Sequence, residues 1–322
     1  MGIMLVSSCS KEDADSHLPY ITFGVAEADV DTKSLITNET LNSSATSVIV
    51  YGVRNNTDQI FNGVRIRKQT DSYNWEPETK RSWVSGSSYS FYGYTYSGTS
   101  TSCKVEKEGL KITVAQPKNY SETDMVDYML SHAYKVADAS KTQIVMLYMQ
   151  HAMACIEVVV EQQMSDHEIT LNSVTLDGVY YSATMECEDQ ANANSGENNV
   201  WKTQISGSND AVYSKTFNTV QDENSLLGKM TILAVPQQLT QDTKLTVRYS
   251  VNEDNDPSTA HTSHTDVFNL FNYTPYVWES GHKIRYTLNI NTGVELNAQI
   301  VNWIDAGYIE GVILPPKQQG QE

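Results

Sequence analysis

Cys9 is the first residue in the sequence whose type and surroundings could carry chemistry, and it lies in the stretch LVSSCSKED at residues 5–13. Lipoprotein signals end in an apolar residue, small residues and a cysteine whose thiol receives a diacylglyceryl group, because the peptidase admits only small side chains beside the cut bond. Val6-Ser7-Ser8-Cys9 follows that order, although the preceding MGIML lacks the basic residues and the length of a complete signal. We therefore predict that Cys9 is lipidated, with an ordinary cysteine in an irregular tail as the alternative.

Histidines are the next candidates, in this case for a metal site. His261 and His264, in HTSH, follow the acidic stretch NEDND, which could bring imidazoles and carboxylates together. The stretch lacks the ligand spacing of a calcium loop, so we interpret residues 252–266 as a solvated polar loop. His151 lies in YMQHAMAC and is interpreted as a core histidine hydrogen-bonded to backbone. The sequence thus predicts no metal site.

Motifs for covalent catalysis or cofactor binding do not occur in the sequence, which has no GxSxG elbow, P-loop, GxGxxG or HExxH. We therefore predict that the protein is not an enzyme and needs no cofactor. The remaining cysteines are Cys103, Cys155 and Cys187, and they form no CxxC pair. Cys155, in the apolar run HAMACIEVVV, is predicted to be buried. A Cys103–Cys187 disulfide is geometrically possible, but the sequence alone does not support it.

The charge of the chain excludes one class of partner. The 322 residues include 39 acidic and 22 basic residues, which give a formal charge of −17. Nucleic-acid binding is excluded because phosphate contacts need a basic patch, and adhesion of the protein surface to anionic lipid is disfavoured. Since no apolar run is long enough to cross a bilayer, we predict no transmembrane helix.

The elements that would position these residues are mainly strands. Runs rich in β-branched and aromatic residues, bounded by Gly, Ser, Asn and Pro, predict β-structure almost throughout. The spacing of the runs indicates an all-β fold of sandwiches with little helix. Only SETDMVDYMLSHAYKVA (121–137) has helical periodicity, and it predicts a helix capped by Ser121 or Thr123. The predicted strands are 20–27, 47–53, 89–96, 110–115, 142–149, 154–161, 169–176, 229–236, 244–251, 282–290 and 296–303.

Charge interrupts two strongly apolar strands near 162–168, in EQQMSDHE, and this predicts a domain boundary. We divide the chain into a signal remnant and tether (1–18), an N-terminal β-sandwich (19–164) and a C-terminal β-sandwich (165–322). Residues 186–199 are interpreted as a polar loop within the last of these, because strand signals resume on both sides.

The order of the apolar blocks is similar to that of the Bacteroidales fimbrillins, the subunits of type V pili. YSFYGYTY resembles their aromatic FYAYYP block, and ILAVPQQL is similar to their IPQ strand end. Two departures are Tyr148-Met149, where Phe is usual, and Lys33, where many members carry Arg. The blocks that carry the resemblance, in order over about 20–303, are YSFYGYTY (89–96), MVDYMLSHAYKVA with IVMLYMQHAMACIEVVV (125–160), ILAVPQQL (232–239), VWESGHKIRYTLNI (277–290) and IVNW (300–303).

This resemblance implies two tandem transthyretin-like β-sandwich domains and a lipoprotein precursor. It also implies assembly by strand exchange with other pilus subunits, after a trypsin-like protease removes the N-terminal strand. Ser10-Lys11-Glu12-Asp13 resembles the export signal of Bacteroidetes outer-leaflet lipoproteins. We therefore expect a surface-exposed, lipid-anchored protein of the outer membrane and its fimbriae, since several acyl chains suffice for anchoring.

The processing site is predicted at Lys33–Ser34, because ADVDTKSLITNE (28–39) is polar and Lys33 is its only basic residue. Cleavage there would release one strand. Arg54 is the second choice, because it follows SVIVYGV and a cut after it would remove a further apolar strand. An ordinary loop lysine is the alternative for Lys33.

The donor strand is predicted at the C-terminal end. Period-2 alternation in LNAQIVNW predicts a strand with one buried face, and a second apolar segment ends at Pro315-Pro316, which cannot extend a ladder. The alternative is that both segments complete their own sandwich. The donor residues are predicted to be Leu296, Ala298, Ile300 and Trp303 in the first segment and Tyr308, Ile309, Val312 and Leu314 in the second.

The alternative function is that of a surface lipoprotein that does not polymerise and binds a glycan. Exposed aromatic residues in YSFYGYTYSG would stack on sugars, although alternating aromatic residues in a strand more often face a core. A host or bacterial glycan or protein is therefore a further possible partner.

Overall fold

In a computed structural model, the residues described are 19–27, 41, 46–70, 74–97, 104–105, 111–138, 143–163, 167–187, 201–221, 226–252, 261–291 and 293–301. Strands dominate them, which confirms the predicted all-β fold, and a 3-10 turn spans Leu270–Asn272. The strands are β1 (Thr22–Glu27), β2 (Ser47–Arg54), β3 (Asp58–Lys68), β4 (Trp75–Pro77), β5 (Ser88–Tyr96), β6 (Lys104–Val105), β7 (Lys111–Ala115), β8 (Tyr128–Val136), β9 (Ile144–His151), β10 (Ala154–Gln162), β11 (Glu168–Val179), β12 (Ser182–Cys187), β13 (Trp201–Ile205), β14 (Ala211–Gln221), β15 (Leu226–Ala234), β16 (Gln237–Gln238), β17 (Lys244–Asn252), β18 (Thr262–Asn269), β19 (Val277–Trp278), β20 (Lys283–Ile290) and β21 (Val294–Val301).

The first sheet closes on itself. Its order is β1-β4-β3-β2-β5-β8-β9, and β9 pairs with β1 to complete the ring. Because successive side chains of a strand point to opposite faces, alternate apolar residues such as Val48, Val50 and Phe91 fill the interior. We call this interior the first core.

The second core lies between two other sheets, ordered β15-β10-β20-β21 and β14-β11-β17-β18. Ile156 and Tyr286 from the former and Val174 and Val247 from the latter belong to it. A third sheet, β13-β12-β7-β6, and the pair β16-β19 flank this region. Since β7 and β10 precede residue 164 and pair with strands that follow it, both predicted segments share sheets. The division into two transthyretin-like domains stays a prediction.

The helix predicted over 121–137 is wrong. Residues 122–124 form a turn, residues 125–127 have no regular structure, and Tyr128–Val136 forms β8, which pairs with β5 along its length. Tyr128 and Leu130 face the second core, whereas Met129 and Ala133 face the first. A strand buried on both faces has apolar residues at adjacent positions, and that pattern imitates a helical one.

The polar loop predicted at 252–266 is also wrong at its C-terminal end, because Thr262–Asn269 forms β18 at the edge of a sheet. His264 there packs face to face on Tyr249 of β17, with ring centroids 5.1 Å apart. An edge strand keeps one side in water, so its polar composition resembles that of a loop.

Candidate functional site

The N-terminal strand β1 lies in a slot between two other strands. On one side it pairs in parallel with β9, from Thr22↔Ile144 to Glu27↔Met149. On the other side it meets β4 at Phe23↔Trp75. Just before β1, the Ile21 amide donates to the Arg81 carbonyl at 2.8 Å. Removing β1 would therefore expose the backbone of β9 and β4 together.

The side chains of β1 and its neighbour Ile21 fill pockets of the first core. Ile21, Phe23 and Val25 alternate along the chain and are 0%, 0% and 7% exposed. The Phe23 ring stands edge-on to Phe91 and Phe61, with centroid distances of 5.5 and 5.9 Å. Each such side chain contributes about 1.5–3 kcal/mol through its burial. Without β1, the slot would therefore combine unpaired strand edges with a row of apolar pockets at alternate positions.

The predicted processing residues Lys33 and Ser34 lie outside the described residues. The described bounds place them in sequence between the end of β1 at Glu27 and the start of β2 at Ser47. Arg54, the second choice, is the last residue of β2, and its Nε donates to the Asp58 carboxylate at 2.9 Å. β2 pairs with both β3 and β5, so a cut after Arg54 would separate an integral strand from the closed sheet.

The first predicted donor segment forms β21, which pairs with β20 from Ile290↔Val294 to Lys283↔Val301. Leu296 and Ala298 pack partly buried against the second core, whereas Ile300 is 59% exposed. β21 is at the edge of its sheet as far as that sheet is described. Cys9 and the other predicted donor residues lie outside the described residues, and these are Trp303, Tyr308, Ile309, Val312 and Leu314.

The predicted metal candidates are not brought together. His264 packs on Tyr249, while the Nε2 atom of His261 lies 3.8 Å from the Glu168 carboxylate. Across the described residues, no group of three or more His, Cys, Asp or Glu is placed to hold a metal ion. His151 is buried as predicted, and its Nδ1 lies 3.0 Å from the Asp127 carboxylate. Its hydrogen bond to backbone stays a prediction.

The cysteines have different outcomes. Cys155 is buried as predicted, and its burial raises the pKa of the thiol to about 12, which makes it an unreactive core residue. Cys187 ends β12, but Cys103 lies outside the described residues. Pairing between Cys103 and Cys187 stays open.

Sequence patterns missed one charged cluster on β10. Glu157 is 1% exposed, and its carboxylate contacts Lys283 at 3.1 Å as well as Lys229 and Arg285. Burial alone would raise the pKa of Glu157, but hydrogen bonds from these cations hold it below its ordinary value. The cluster joins three neighbouring strands, β15, β10 and β20. An isolated Glu in an apolar run was the only signal of it in the sequence.

The aromatic block at 89–96 forms β5, and most of it faces inward or is covered. Tyr89, Phe91 and Tyr92 are 1%, 0% and 3% exposed. Tyr94 stacks on Tyr51 with ring centroids 6.5 Å apart. Tyr89, Phe91 and Tyr92 are therefore engaged in packing and do not form an exposed sugar-binding surface.

The comparisons with known proteins assign the chain to a family. A family profile described as fimbrillin-like matches residues 32–303. The chain belongs to the fimbrillin-like family. The family indicates a structural protein with a fimbrial role at the cell surface, in association with other fimbrial subunits. Curated protein sequences contain no match to this chain.

Solved structures show the same fold at low sequence identity. A putative cell adhesion protein from Bacteroides uniformis has 13% identity and a TM-score of 0.56, over 88% of this chain and 99% of that chain. A putative cell adhesion protein from Bacteroides ovatus has 13% identity and a TM-score of 0.51, over 89% of this chain and 98% of that chain. In the described part of this fimbrillin-like chain, no helix has the length and hydrophobicity to cross a membrane.

Proposed function

We propose that this fimbrillin-like protein is a structural or adhesive subunit of a cell-surface fimbria, which polymerises by strand exchange after proteolysis removes β1. The observation that carries the proposal is the position of β1 between β9 and β4, with Ile21, Phe23 and Val25 in buried pockets. Loss of β1 would leave unpaired amide and carbonyl groups beside an open apolar groove.

A strand from a neighbouring subunit would restore both the ladder and the packing. Its backbone would pair with β9 and β4, and alternate side chains would enter the pockets that Ile21, Phe23 and Val25 vacate. The contact joins two different surfaces of successive subunits and does not close on itself, so it would propagate as a filament.

Cleavage is proposed between Lys33 and Ser34. A cut there falls between β1 and β2 in the sequence, so it frees β1 and leaves the pairing of β2 with β3 and β5 intact. A cut after Arg54 would also free β2 and open a second gap in the closed sheet. Lys33 is therefore favoured over Arg54.

The donor is proposed to come from the C-terminal part of the chain. Leu296, Ala298 and Ile300 have the required alternation, with Trp303 as the continuation of that strand. As an edge strand, β21 has one described neighbour to leave. The second segment supplies the further donor residues Tyr308, Ile309, Val312 and Leu314.

Export is proposed to depend on lipidation of Cys9 and on the acidic signal that follows it. The anchored subunit would be presented at the outer face of the outer membrane before assembly. Replacement of Cys9 by Ala should then move the protein from the membrane fraction to the soluble fraction, as followed by detergent partitioning.

The test of strand exchange is mild trypsin treatment of the purified protein, followed by electrophoresis without boiling. We expect a ladder of oligomers that resists denaturant, and a new N-terminus at Ser34 by sequencing. Lys33→Gln should abolish the ladder, whereas the matched variant Arg54→Gln should preserve it. A ladder from Lys33→Gln with an intact N-terminus would contradict the cleavage step.

Deletion of residues 305–322 tests the donor segment. If these residues act as donor, the truncated protein should keep the thermal unfolding profile of the full chain and form no ladder after trypsin. Loss of cooperative unfolding would instead show that the segment belongs to the fold of its own subunit.

A further inference from the structure

A cleft of about 500 Å³ lies where the closed sheet meets the second half of the chain. Its floor is formed by the ends of β8 and β9, including Gln150 and His151. One wall comes from the β12–β13 ribbon, and the other comes from β16, β19 and the turn that follows β19. The cleft is far in sequence from β1 and shares no residue with the slot.

The ribbon wall presents an aromatic residue. Because Met185 pairs with Thr203 and Cys187 pairs with Trp201, the side chains of Met185, Trp201 and Thr203 share one face, which lines the cleft. The indole N–H of Trp201 is buried and has no acceptor among the described residues. Since this N–H is buried, the indole offers a ligand the exposed part of its ring and not a hydrogen bond.

The opposite wall and the floor present polar side chains, of which one, Glu279, is a carboxylate. Gln238 is exposed beside Val277, and Glu279 and His282 form the rim. The adjacent Gln237 amide is committed to the fold, because it bonds both backbone groups of Tyr180 at 3.0 and 3.1 Å. Gln237 thus fixes the backbone of this wall, whereas the exposed Gln238 side chain is available to bind a ligand.

The chemistry of the lining selects a class of ligand. Its described residues include amides, hydroxyls and imidazoles, one carboxylate and no lysine or arginine. An anionic ligand is disfavoured both by this lining and by the net charge of −17. The volume suits a small molecule, since ligand sites measure about 300–1,000 Å³. A sugar ring has both an apolar C–H face for Trp201 and hydroxyls for the amides.

We propose that this cleft is a binding site for a neutral saccharide unit. One apolar face of the sugar packs on the half-buried Trp201, and its hydroxyls bond with Gln150, Gln238 and Thr203. This assigns sugar binding to the cleft and not to the aromatic block at 89–96. The proposal goes beyond strand exchange and does not depend on it.

The test is a calorimetric titration of the full chain with glucose, galactose, mannose, N-acetylglucosamine, lactose and N-acetyllactosamine, with N-acetylneuraminic acid as the charged comparison. We expect saturable binding of at least one neutral sugar. Trp201→Ala should weaken it at least about tenfold, because the aromatic face that packs on the sugar is lost. Tyr276→Ala, an exposed aromatic residue that does not line the cleft, should bind as the wild type does.

Gln238→Ala provides a second variant that removes an exposed side chain and therefore leaves folding intact, and it should weaken binding several-fold. Absence of saturable binding to every neutral sugar, or binding of N-acetylneuraminic acid alone, would overturn the proposal. The proposal would also be overturned if Gln238→Ala and a folded Trp201→Ala both bound the sugar with the affinity of the wild type. Both variants should still form the trypsin-induced ladder, so failure of sugar binding and failure of strand exchange give different results.

Discussion

The strands at the two ends of the described chain have the same sequence pattern and opposite environments. β1 lies between two strands, and each apolar side chain that it and Ile21 turn inward is at most 7% exposed. β21 pairs with β20 alone among the described strands, and its Ile300 is 59% exposed. Period-2 alternation therefore identifies a strand with one apolar face, but it does not tell how much of that face the fold covers.

The difference bears on assembly. A strand that fills deep pockets leaves a strong binding site when it is removed, because both ladder edges and apolar cavities are exposed together. A strand that is only partly covered gives up fewer buried apolar contacts when it leaves its sheet, so its departure costs less free energy. One chain would thus have an acceptor slot in the closed sheet and a donor strand at β21. The predictions below test how far these two ends differ.

Phe23→Ala should have the largest effect, because it empties a fully buried pocket of the first core. We expect the free energy of unfolding to fall by about 3–5 kcal/mol, as for other buried phenylalanines. Urea denaturation of the uncleaved protein measures it, with Val267→Ala on the exposed face of β18 as the matched control. A loss no larger than that of the control would mean that β1 is not required by the fold.

Glu157→Gln should have the next largest effect, in the sheet that carries β21. The neutral amide leaves Lys229, Lys283 and Arg285 around a site without an anion. We expect a loss of about 2–3 kcal/mol, below the cost of breaking a fully buried pair because two of the cations are partly exposed. Urea denaturation at neutral pH provides the measurement, and Glu295→Gln on exposed β21 provides the control.

The pH dependence of that loss has a definite sign. Burial raises the pKa of Glu157, but the cationic hydrogen bonds outweigh it and place the folded value below the ordinary 4.5. Between the folded pKa and pH 4.5, the folded state therefore binds fewer protons than the unfolded state. The stability that Glu157 contributes is full above pH 4.5 and decreases as the pH falls through the folded pKa. Convergence of wild type and Glu157→Gln at acid pH would confirm this, and a constant difference would contradict it.

Leu296→Ala should have an intermediate effect, because Leu296 is only partly buried against the second core. We expect a loss of about 1–2 kcal/mol, at or below the range for fully buried leucines. A loss as large as that of Phe23→Ala, measured by the same denaturation, would remove the contrast between the two ends.

Sequence patterns predicted some of these elements well and others poorly, for physical reasons. β10 was predicted nearly to its observed bounds, because ACIEVVVE is a long β-branched run within a sheet. β3 and β14 were missed because exposed polar residues interrupt their apolar positions. Burial on both faces made β8 look helical.

The long-range arrangement could not be predicted, because pairing depends on contacts distant in sequence. No local sequence pattern predicts that β7 pairs with β12 or that β1 lies between β4 and β9. The cleft combines residues from widely separated segments, and Trp201 follows a polar stretch that predicts only a loop. Cys9, Lys33 and the last predicted donor residues stay predictions from sequence and family.

Ile300→Thr should have the smallest effect on stability and still reduce assembly. Its side chain is mostly exposed and threonine keeps a β-branched carbon, so the free energy of unfolding should change by less than about 0.5 kcal/mol. In a neighbour's slot the same hydroxyl would enter an apolar pocket without a partner, which is unfavourable. The trypsin-induced ladder should therefore weaken several-fold, whereas Gln299→Thr, on the opposite face of β21, should leave it unchanged. An unchanged ladder from Ile300→Thr would exclude Ile300 from the donor strand, and a stability loss above about 1.5 kcal/mol would place it in the core of its own subunit.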